Sequence, residues 1–205
     1  MTKKRTVGAL LFPGFELLDI FGPLEMLGVL KDHFEVVTLG ETTDPIASDQ
    51  GPRSAIDRSF AHCGELDVLL VPGGIGTRTQ IGNPALLEFL RAIYPRLEVL
   101  ASICTGAGLL AGAGLLDGRR ATSNKKSFTW ASAQGNNVEW VPQARWVEAG
   151  NIFTASGVAA GIDMSLALVA RLVDEATAVK VAEYTEYEWH RDASWDPFAE
   201  LAGLL

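Results

Sequence analysis

Residues 98–108 of the chain read Glu98-Val99-Leu100-Ala101-Ser102-Ile103-Cys104-Thr105-Gly106-Ala107-Gly108. The residues before Cys104 form an apolar run of strand length, which is typical of a β-strand buried on both faces. The small residues after Cys104 predict a helix that begins at once. A strand that turns sharply into a helix presents the side chain at the turn, as in a nucleophile elbow. The segment therefore predicts an α/β fold, with a strand over 98–103, a helix over 105–116 and a cysteine between them.

Apolar runs of strand length alternate with helical spacing along the rest of the chain. We predict further strands over 6–12, 34–39, 67–71, 144–147 and 152–155, the last two forming a hairpin, and a small peripheral strand within 53–60. We predict helices over 17–30, 84–94, 127–134, 161–173 and 176–189, the second with Asn83 as its N-cap and Pro84 at its first position. This alternation favours a three-layer, doubly wound, flavodoxin-like and mostly parallel sheet with helices on both faces. No linker divides the chain, so we expect one domain over residues 1–205.

Composition narrows the classes of function. The chain has 205 residues, 48% of them hydrophobic and 20% charged, and its formal net charge is −8. These values fit one globular core, and an acidic chain without a basic stripe is a poor partner for nucleic acid. Two cysteines are too few for a disulfide framework, and Met1–Arg5 shows no signal-peptide pattern. We expect a cytoplasmic protein that acts on a small molecule, with neither nucleic acid nor a membrane as partner.

Cys104 is the first of three candidate functional positions, because sites in doubly wound sheets form at the carboxyl ends of strands. The free N–H groups and the dipole of a helix N-terminus favour a thiolate, so we expect the pKa of this thiol to be lowered. The alternative is a buried structural cysteine, because free cysteines are among the most buried residues. Cys63 has no comparable context, and we interpret it as structural.

The second position is the glycine-rich loop Val71-Pro72-Gly73-Gly74-Ile75-Gly76, again at the end of a predicted strand. Three glycines in four residues expose backbone N–H groups, which suits an oxyanion hole formed by Gly73, Gly74 and Ile75. A phosphate-binding loop or a merely tight turn would have the same pattern.

The third position is Asp19, in the segment Phe12-Pro13-Gly14-Phe15-Glu16-Leu17-Leu18-Asp19. Its neighbours are strongly apolar, so burial should raise the pKa of this carboxyl and keep it protonated as a proton donor. The structural alternative is that Asp19 caps the helix that follows. We expect Glu16, the other acid of the segment, to be solvated.

Together these segments resemble the ThiJ/PfpI superfamily, a flavodoxin-like, class I glutamine amidotransferase-like group of cysteine-dependent enzymes and their relatives. The resemblance covers roughly Thr6 to Val173. It implies Cys104 as the nucleophile, Asp19 as the acid beside its sulfur, and backbone amides near Gly74 and Thr105 as the oxyanion hole. The motifs that carry it are Leu11-Phe12-Pro13-Gly14 with Asp19 and Gly22-Pro23, Val71-Pro72-Gly73-Gly74, Cys104-Thr105-Gly106, and Ser156-Gly157-Val158 with Gly161-Ile162-Asp163.

The resemblance also places a substrate pocket. Ser156-Gly157-Val158 is similar to a family segment that closes over the site, and Asn124 stands where family peptidases and aldehyde-processing enzymes carry a histidine. With Asn124 in that place, a Cys-His dyad is not expected. The pairing of an aspartate with Cys104-Thr105 looks like the isocyanide hydratase subgroup, which hydrates R–N≡C to an N-formamide through a covalent thioimidate. That subgroup often has a histidine near position 124 too, so the match is incomplete.

Two other functions stay open. The first is another activity of the same fold: amidase, peptidase, glyoxalase or deglycase. The second is a non-catalytic ligand- or redox-sensing domain, because similar domains precede helix-turn-helix modules in AraC-type regulators, although 205 residues leave no room for such a module. No cluster of histidines or cysteines predicts a metal, and we expect no cofactor.

The C-terminal segment is rich in aromatic residues, with Trp189, Trp195 and Phe198 in an otherwise polar stretch. Such side chains usually bury against another surface, here the same chain or a symmetric partner. Lining of the substrate pocket is the alternative. The resembled family is commonly dimeric, so we expect a homodimer.

Overall fold

A seven-stranded sheet forms the centre of the computed structural model, which describes residues 4–205. All neighbouring strands in it run parallel, except for the antiparallel hairpin at one edge. In spatial order the strands are β10 (Trp146–Ala149), β11 (Ile152–Ala155), β7 (Val99–Ser102), β6 (Val68–Val71), β1 (Arg5–Leu10), β2 (Phe34–Gly40) and β5 (Arg58–Ser59). Two small two-stranded sheets pair β3 (Ile46–Ala47) with β4 (Arg53–Ser54), and β8 (Arg120–Ala121) with β9 (Glu139–Trp140).

Helices form the outer layers of this three-layer fold. They form two groups. In the first group two helices pack on α6, and in the second three helices pack on α4. The first group is α1 (Leu17–Gly28), α6 (Ala160–Leu172) and α7 (Glu175–Tyr184); the second is α2 (Thr77–Gln80), α3 (Pro84–Ile93), α4 (Gly106–Gly112) and α5 (Phe128–Ser132). A last helix, α8 (Phe198–Leu201), lies near the C-terminus. In the part of the chain that the structure describes, no helix combines the length and hydropathy needed to cross a bilayer.

The central strands are apolar because both of their faces are covered. Every residue of β6, β7 and β11 is buried, which is the environment that parallel strands in a doubly wound sheet require. The predicted N-cap is confirmed: the Asn83 side chain accepts a hydrogen bond from the N–H of Ala85, and Pro84 begins α3.

Several predicted boundaries are wrong. The helix predicted to reach 116 ends at Gly112, and Gly114 takes a left-handed φ of 76° just beyond it. The helix predicted to reach 189 ends at Tyr184, where Thr185 turns its hydroxyl back onto the carbonyl oxygen of Val181. The predicted strand 144–147 is shifted to Trp146–Ala149. The peripheral strand within 53–60 is two separate short strands, of which β5 extends the main sheet.

Candidate active site

Cys104 occupies a strained turn between β7 and α4. Its backbone φ of 57° lies in the left-handed region, which residues other than glycine rarely adopt. Hydrogen bonds with neighbouring groups hold the backbone in this conformation. Its N–H donates to the carbonyl oxygen of Ser156 at 2.8 Å, and its own carbonyl oxygen accepts from Ser123 Oγ at 2.8 Å. The sharp strand-to-helix turn predicted from the sequence is therefore present, and the residue at the turn is a buried cysteine.

Asp19 is fully buried beside this turn. Its Oδ2 accepts a 2.7 Å hydrogen bond from the backbone N–H of Gly73, whereas its Oδ1 is buried and makes no hydrogen bond within the described residues. The Cys104 thiol also interacts with this carboxyl. Burial raises the pKa of the Asp19 carboxyl to about 8, and the hydrogen bond from Gly73 opposes that rise. The carboxyl is therefore protonated at neutral pH.

Asp19 does not cap the helix. The N-cap of α1 is Glu16, which makes no side-chain capping bond, and Asp19 lies inside the first turn with Gly73 as its partner. The structural alternative raised by the sequence is thus not what the structure shows. Glu16 is half-buried, and its charge adds to the rise in the pKa of Asp19.

The thiol of Cys104 does not have the lowered pKa expected from its place before a helix. Burial raises the pKa of the thiol, and the nearby Asp19 carboxyl raises it further. The N–H and hydroxyl of Thr105 oppose this rise, as the helix N-terminus was expected to do. Helix α4 has only seven residues, so its contribution does not outweigh desolvation. The resting pair is therefore a neutral thiol beside a neutral carboxylic acid.

The glycine-rich loop packs directly on the turn. A Cβ added to Gly73 would lie 2.5 Å from the Thr105 nitrogen and 2.8 Å from the Cβ of Cys104, so only glycine fits there. The N–H of Gly73, which the sequence predicted as an oxyanion donor, donates to Asp19 Oδ2 in this structure. The N–H of Gly74 is directed at Thr105 Oγ1, 3.2 Å away. The N–H of Ile75 donates to no backbone carbonyl among the described residues, and the N–H of Thr105 acts on the Cys104 thiol.

A guanidinium group also reaches this site, and the sequence analysis missed it. Arg78 donates to Thr77 Oγ1 at 2.8 Å, and Thr77 in turn donates to the carbonyl oxygen of Gly74 at 2.7 Å. The Arg78 guanidinium stacks on the Trp130 ring, 3.9 Å from its centroid, and interacts electrostatically with Cys104. Position 78 follows the glycine loop closely, but an arginine in a short polar stretch looks like a solvated side chain.

The residues predicted to form the substrate pocket line one cavity of about 310 Å³. Asn124 and Gly157 are neighbours in its wall, since a Cβ on Gly157 would lie 3.0 Å from Asn124 Nδ2. The cavity begins next to the nucleophile, because the carbonyl oxygen of Ser156 accepts from the N–H of Cys104. Cys104 and Asp19 themselves are not among its lining residues. Its wall is formed by Asn124, Lys125, Lys126, Arg145, Ser156, Gly157, Val158, Ala159, Ala160, Asp196 and Phe198.

The C-terminal segment docks on its own chain and closes one side of this cavity. The carbonyl oxygen of Ala193 accepts from the N–H of Arg145 at 2.8 Å, and Asp196 is almost completely buried. A buried ion pair between Arg145 and Asp163 anchors the region, and the Trp189 indole donates to the carbonyl oxygen of Asp163 at 3.1 Å. Of the three aromatic residues singled out in the sequence, Trp189 packs on the core of its own chain and Phe198 lines the pocket. Trp195 and Phe198 remain 43% and 57% exposed, so the expected burial of these two side chains is not found.

A larger cavity of about 450 Å³ lies elsewhere, at the ends of β1 and β2. Apolar side chains such as Phe12, Ile46 and Phe60 form much of its wall, and Cys104 does not line it. We assign the chemistry to the 310 Å³ cavity instead, because its lining residue Ser156 accepts the hydrogen bond from the N–H of Cys104.

A strained, buried cysteine at the end of a parallel strand, with a buried carboxylic acid beside its thiol, defines a class of flavodoxin-like α/β proteins with a cysteine at a nucleophile elbow. Within that class the chain belongs to the DJ-1/PfpI family, whose family model matches residues 5–171. The resemblance drawn from the sequence motifs is thereby confirmed.

Similar proteins within the family have different functions. Isonitrile hydratase from Pseudomonas putida is 35% identical over 182 residues, which cover 88% of this chain and 78% of that protein. The HTH-type transcriptional regulator CdhR from Pseudomonas aeruginosa is 30% identical over 178 residues, which cover 85% of this chain and 52% of the regulator. A crystal structure of a ThiJ/PfpI family protein from Pseudomonas syringae superposes with a TM-score of 0.83 at 31% identity, covering 91% of this chain and 76% of that one.

Proposed function

We propose that the protein is a cysteine-dependent enzyme that hydrates an isocyanide, R–N≡C, to the corresponding N-formamide. One observation carries this proposal: the fully buried Asp19, with its pKa raised to about 8, beside the neutral thiol of Cys104. A neutral acid and a neutral thiol suit the addition of S–H to a carbon that must receive both a proton and a nucleophile. The similarity to an isonitrile hydratase supports the same chemistry, because isonitrile is another name for isocyanide.

The first step is the addition of the thiol to the isocyanide carbon. Asp19 gives its proton to that carbon, which makes it electrophilic, and the sulfur of Cys104 forms the new C–S bond. The thiol proton passes to the Asp19 carboxylate, so the acid is restored. The product is a thioimidate, R–N=CH–S, bound to Cys104, and all atoms of the two reactants are retained.

The second step is the attack of water on the thioimidate carbon. Asp19 protonates the nitrogen and its carboxylate accepts a proton from the water, which gives R–NH–CH(OH)–S. The C–S bond then breaks, the hydroxyl proton passes to the sulfur, and R–NH–CHO leaves with the thiol regenerated. The N–H groups of Ile75 and Thr105 are the backbone donors available to the oxygen during this collapse.

Hydration needs no histidine, because no amine has to be protonated as it leaves. The three histidines of the chain, His33, His62 and His190, lie outside the site: His62 contacts Ser59, and the His190 N–H binds Asp163. Asn124, at the position expected for a family histidine, accepts from the N–H of Ser127 at 3.0 Å. An amidase or peptidase of the Cys-His type would lack its base here.

The test is direct detection of the formamide. Purified protein is incubated with a set of small aliphatic isocyanides, and loss of the N≡C infrared band is followed together with the formyl proton in the NMR spectrum. We expect turnover by the wild-type protein and by Cys63→Ala, and none by Cys104→Ala. Absence of formamide from every isocyanide, or equal turnover by Cys104→Ala, contradicts the proposal. Methylglyoxal, run in parallel, tests the deglycase and glyoxalase alternatives.

A non-catalytic ligand-binding role is the second candidate, and the similarity to the regulator CdhR favours it. In that role the pocket beside Cys104 would bind a small molecule without turnover. Binding of isocyanides or formamides that is unchanged in Cys104→Ala, together with no reaction, would support this candidate instead.

A further inference from the structure

Lys125 is a buried cation without a counter-ion. Its side chain is 4% exposed, and its ammonium donates to Thr122 Oγ1 at 2.8 Å and to the carbonyl oxygen of Ala144 at 2.5 Å. Both acceptors are neutral. In the described part of the chain, no carboxylate lies within ion-pair distance of this ammonium. Buried charges in proteins are normally paired, so Lys125 is an exception that needs an explanation.

The surrounding charged groups do not provide that explanation. Arg145 is already paired with Asp163, through a 2.7 Å bond from Nε and a second contact from Nη2. Asp196 is close enough to act on Lys125 electrostatically but forms no ion pair with it, and its Oδ1 accepts from the N–H of Phe198. Lys126 is exposed at the rim of the same cavity. Within the described residues the ammonium of Lys125 therefore has no carboxylate in direct contact, and the exposed Lys126 adds a second positive charge at the same cavity.

Two further groups at this cavity can bind an anion. Ser156 is fully buried, and its hydroxyl makes no hydrogen bond in the described structure, although the residue lines the cavity. A buried hydroxyl without a partner loses the energy of a hydrogen bond, which a bound ligand would restore. The N-terminus of the 13-residue helix α6 also lies in the wall, at Ala159 and Ala160. Its first three N–H groups already donate to the carbonyl oxygens of residues 157–159, so it favours a negative charge through its dipole alone.

We propose that this cavity is a carboxylate-binding subsite, in which Lys125, the Ser156 hydroxyl and the N-terminus of α6 bind an acid group of the substrate. The inference rests on the proposed function, and it assigns the substrate class as isocyanides that carry a carboxylate. The buried Asp196 favours a singly charged carboxylate, because its own negative charge repels a dianionic phosphate. The lone ammonium of Lys125 matches a single negative charge.

The order of the strands places the proposed subsite beside the nucleophile. Cys104 and Ser156 follow the neighbouring parallel strands β7 and β11, whose register pairs Ser102 with Thr154. Neighbouring strands lie roughly 4.8 Å apart, so the turns that carry Cys104 and Ser156 lie side by side. An isocyanide carbon near Cys104 and a carboxylate near Lys125 fit an isocyano acid with a short spacer.

The first experiment measures binding without turnover. Calorimetric titration compares N-formylglycine with N-formylglycinamide, which differ only in the charged end of the molecule. We expect the wild-type protein to bind the acid at least about tenfold more tightly than the amide, a difference of about 1.4 kcal/mol. Lys125→Met should remove this preference, whereas Lys180→Met, at an exposed position of α7, should keep it. Equal affinity for both compounds in the wild type, or a preference that survives in Lys125→Met, overturns the proposal.

Ser156→Ala gives a second measurement that does not depend on the folding of Lys125→Met. Because the hydroxyl has no partner to lose, this variant should fold, and we expect its affinity for the acid to fall about threefold to tenfold with little change for the amide. An unchanged ratio of the two affinities counts against the subsite.

Turnover separates this inference from the proposed function. The ratio of kcat/KM for isocyanoacetate to that for isocyanoacetamide should fall at least about tenfold in Lys125→Met. If neither isocyanide reacts but the acid still binds through Lys125, the subsite stands and the proposed function fails. If both isocyanides react and their kcat/KM values are equal in every variant, the proposed function stands and the subsite fails.

Discussion

The backbone N–H of Gly73 donates a 2.7 Å hydrogen bond to Oδ2 of Asp19, joining residues 54 positions apart in the sequence. This bond fixes which carboxyl oxygen accepts and leaves Oδ1, which is buried without a hydrogen bond, as the oxygen that carries the proton. Because the N–H of Gly73 donates to Asp19, it is not free to donate to a substrate, which is the role that the sequence predicts for this loop. The loop therefore positions the acid beside Cys104, where the proposed mechanism needs a proton donor.

Asp19 should set the alkaline limit of activity. Since its pKa is raised to about 8, the carboxyl is protonated below that value, and the proposed first step needs that proton. We expect kcat/KM for an isocyanide to fall as the pH rises through about 8. Asp19→Asn keeps an oxygen for Gly73 but has no acid proton, so its activity should drop by about a hundredfold or more. Its pH profile should lose the limb near 8.

Stability gives an independent check on the same residue. A carboxyl with a raised pKa stabilises the folded state below its unfolded pKa of 3.8, and this contribution is lost as the pH rises through about 8. The melting temperature of Asp19→Asn relative to the wild type should therefore increase between pH 4 and pH 9. A constant difference across that range would mean that the carboxyl is solvated and not a buried acid.

The class of fold and the three strand-end motifs could be predicted from the sequence because both depend on local pattern. Buried parallel strands require continuous apolar runs, and the turn at Cys104 requires small residues after it. The pKa of the thiol could not be predicted. It depends on how deeply the turn is buried and on Asp19 beside it, both of which are set by packing between elements far apart in sequence. Lys125 was missed for the same reason, since adjacent lysines in a loop look solvated.

Arg78 should assist the thiol electrostatically. Its guanidinium interacts with Cys104 and is held by Trp130 and Thr77, so it favours negative charge on the sulfur as the thiol proton leaves. We expect Arg78→Gln to lower kcat/KM about tenfold and to slow the alkylation of Cys104 by iodoacetamide, because less thiolate forms at a given pH. Arg171→Gln is the matched control, because Arg171 stacks on Phe153 away from the site. Equal effects of the two substitutions on kcat/KM would contradict a role for Arg78 at Cys104.

None of the three histidines should be needed for turnover. His62 is exposed, His33 is half-buried beside Phe34, and the exposed His190 contacts Asp163 only through its backbone. Substitution of each by Gln should lower kcat/KM less than about tenfold, or about 1.4 kcal/mol. A loss of two orders of magnitude in any one variant, with the fold intact, would favour a Cys-His mechanism over hydration.

We propose that two copies of the chain associate through α1. Leu18 and Phe21 lie on one face of this helix, next to Asp19, and remain 44% and 42% exposed. Leu18→Glu and Phe21→Glu should each shift the molar mass measured by light scattering from dimer toward monomer. Leu201→Glu, at a more exposed apolar position on α8, should leave the mass unchanged. A wild-type protein that is monomeric at micromolar concentration would contradict the prediction.

Lys125→Met should stabilise the free protein at neutral pH. Burial lowers the pKa of Lys125 from 10.5 to about 8, so the folded state binds fewer protons than the unfolded state between these values. The contribution of Lys125 to stability is present above pH 10.5 and is lost as the pH falls through about 8. The groups that act on this titration are Asp196 and Arg145, and neither is changed by the substitution. Methionine leaves no orphan acceptor, because Thr122 Oγ1 still donates to the carbonyl oxygen of Ala144 at 3.3 Å.

The melting temperature of the Lys125→Met variant should exceed that of the wild type near pH 7, and the difference between the two should disappear toward pH 10. Saturating N-formylglycine should raise only the wild-type value, since ligand binding to the folded state stabilises it. A variant that melts below the wild type at neutral pH without ligand would show that the ammonium is well compensated by the protein, and the reason for a bound carboxylate would disappear.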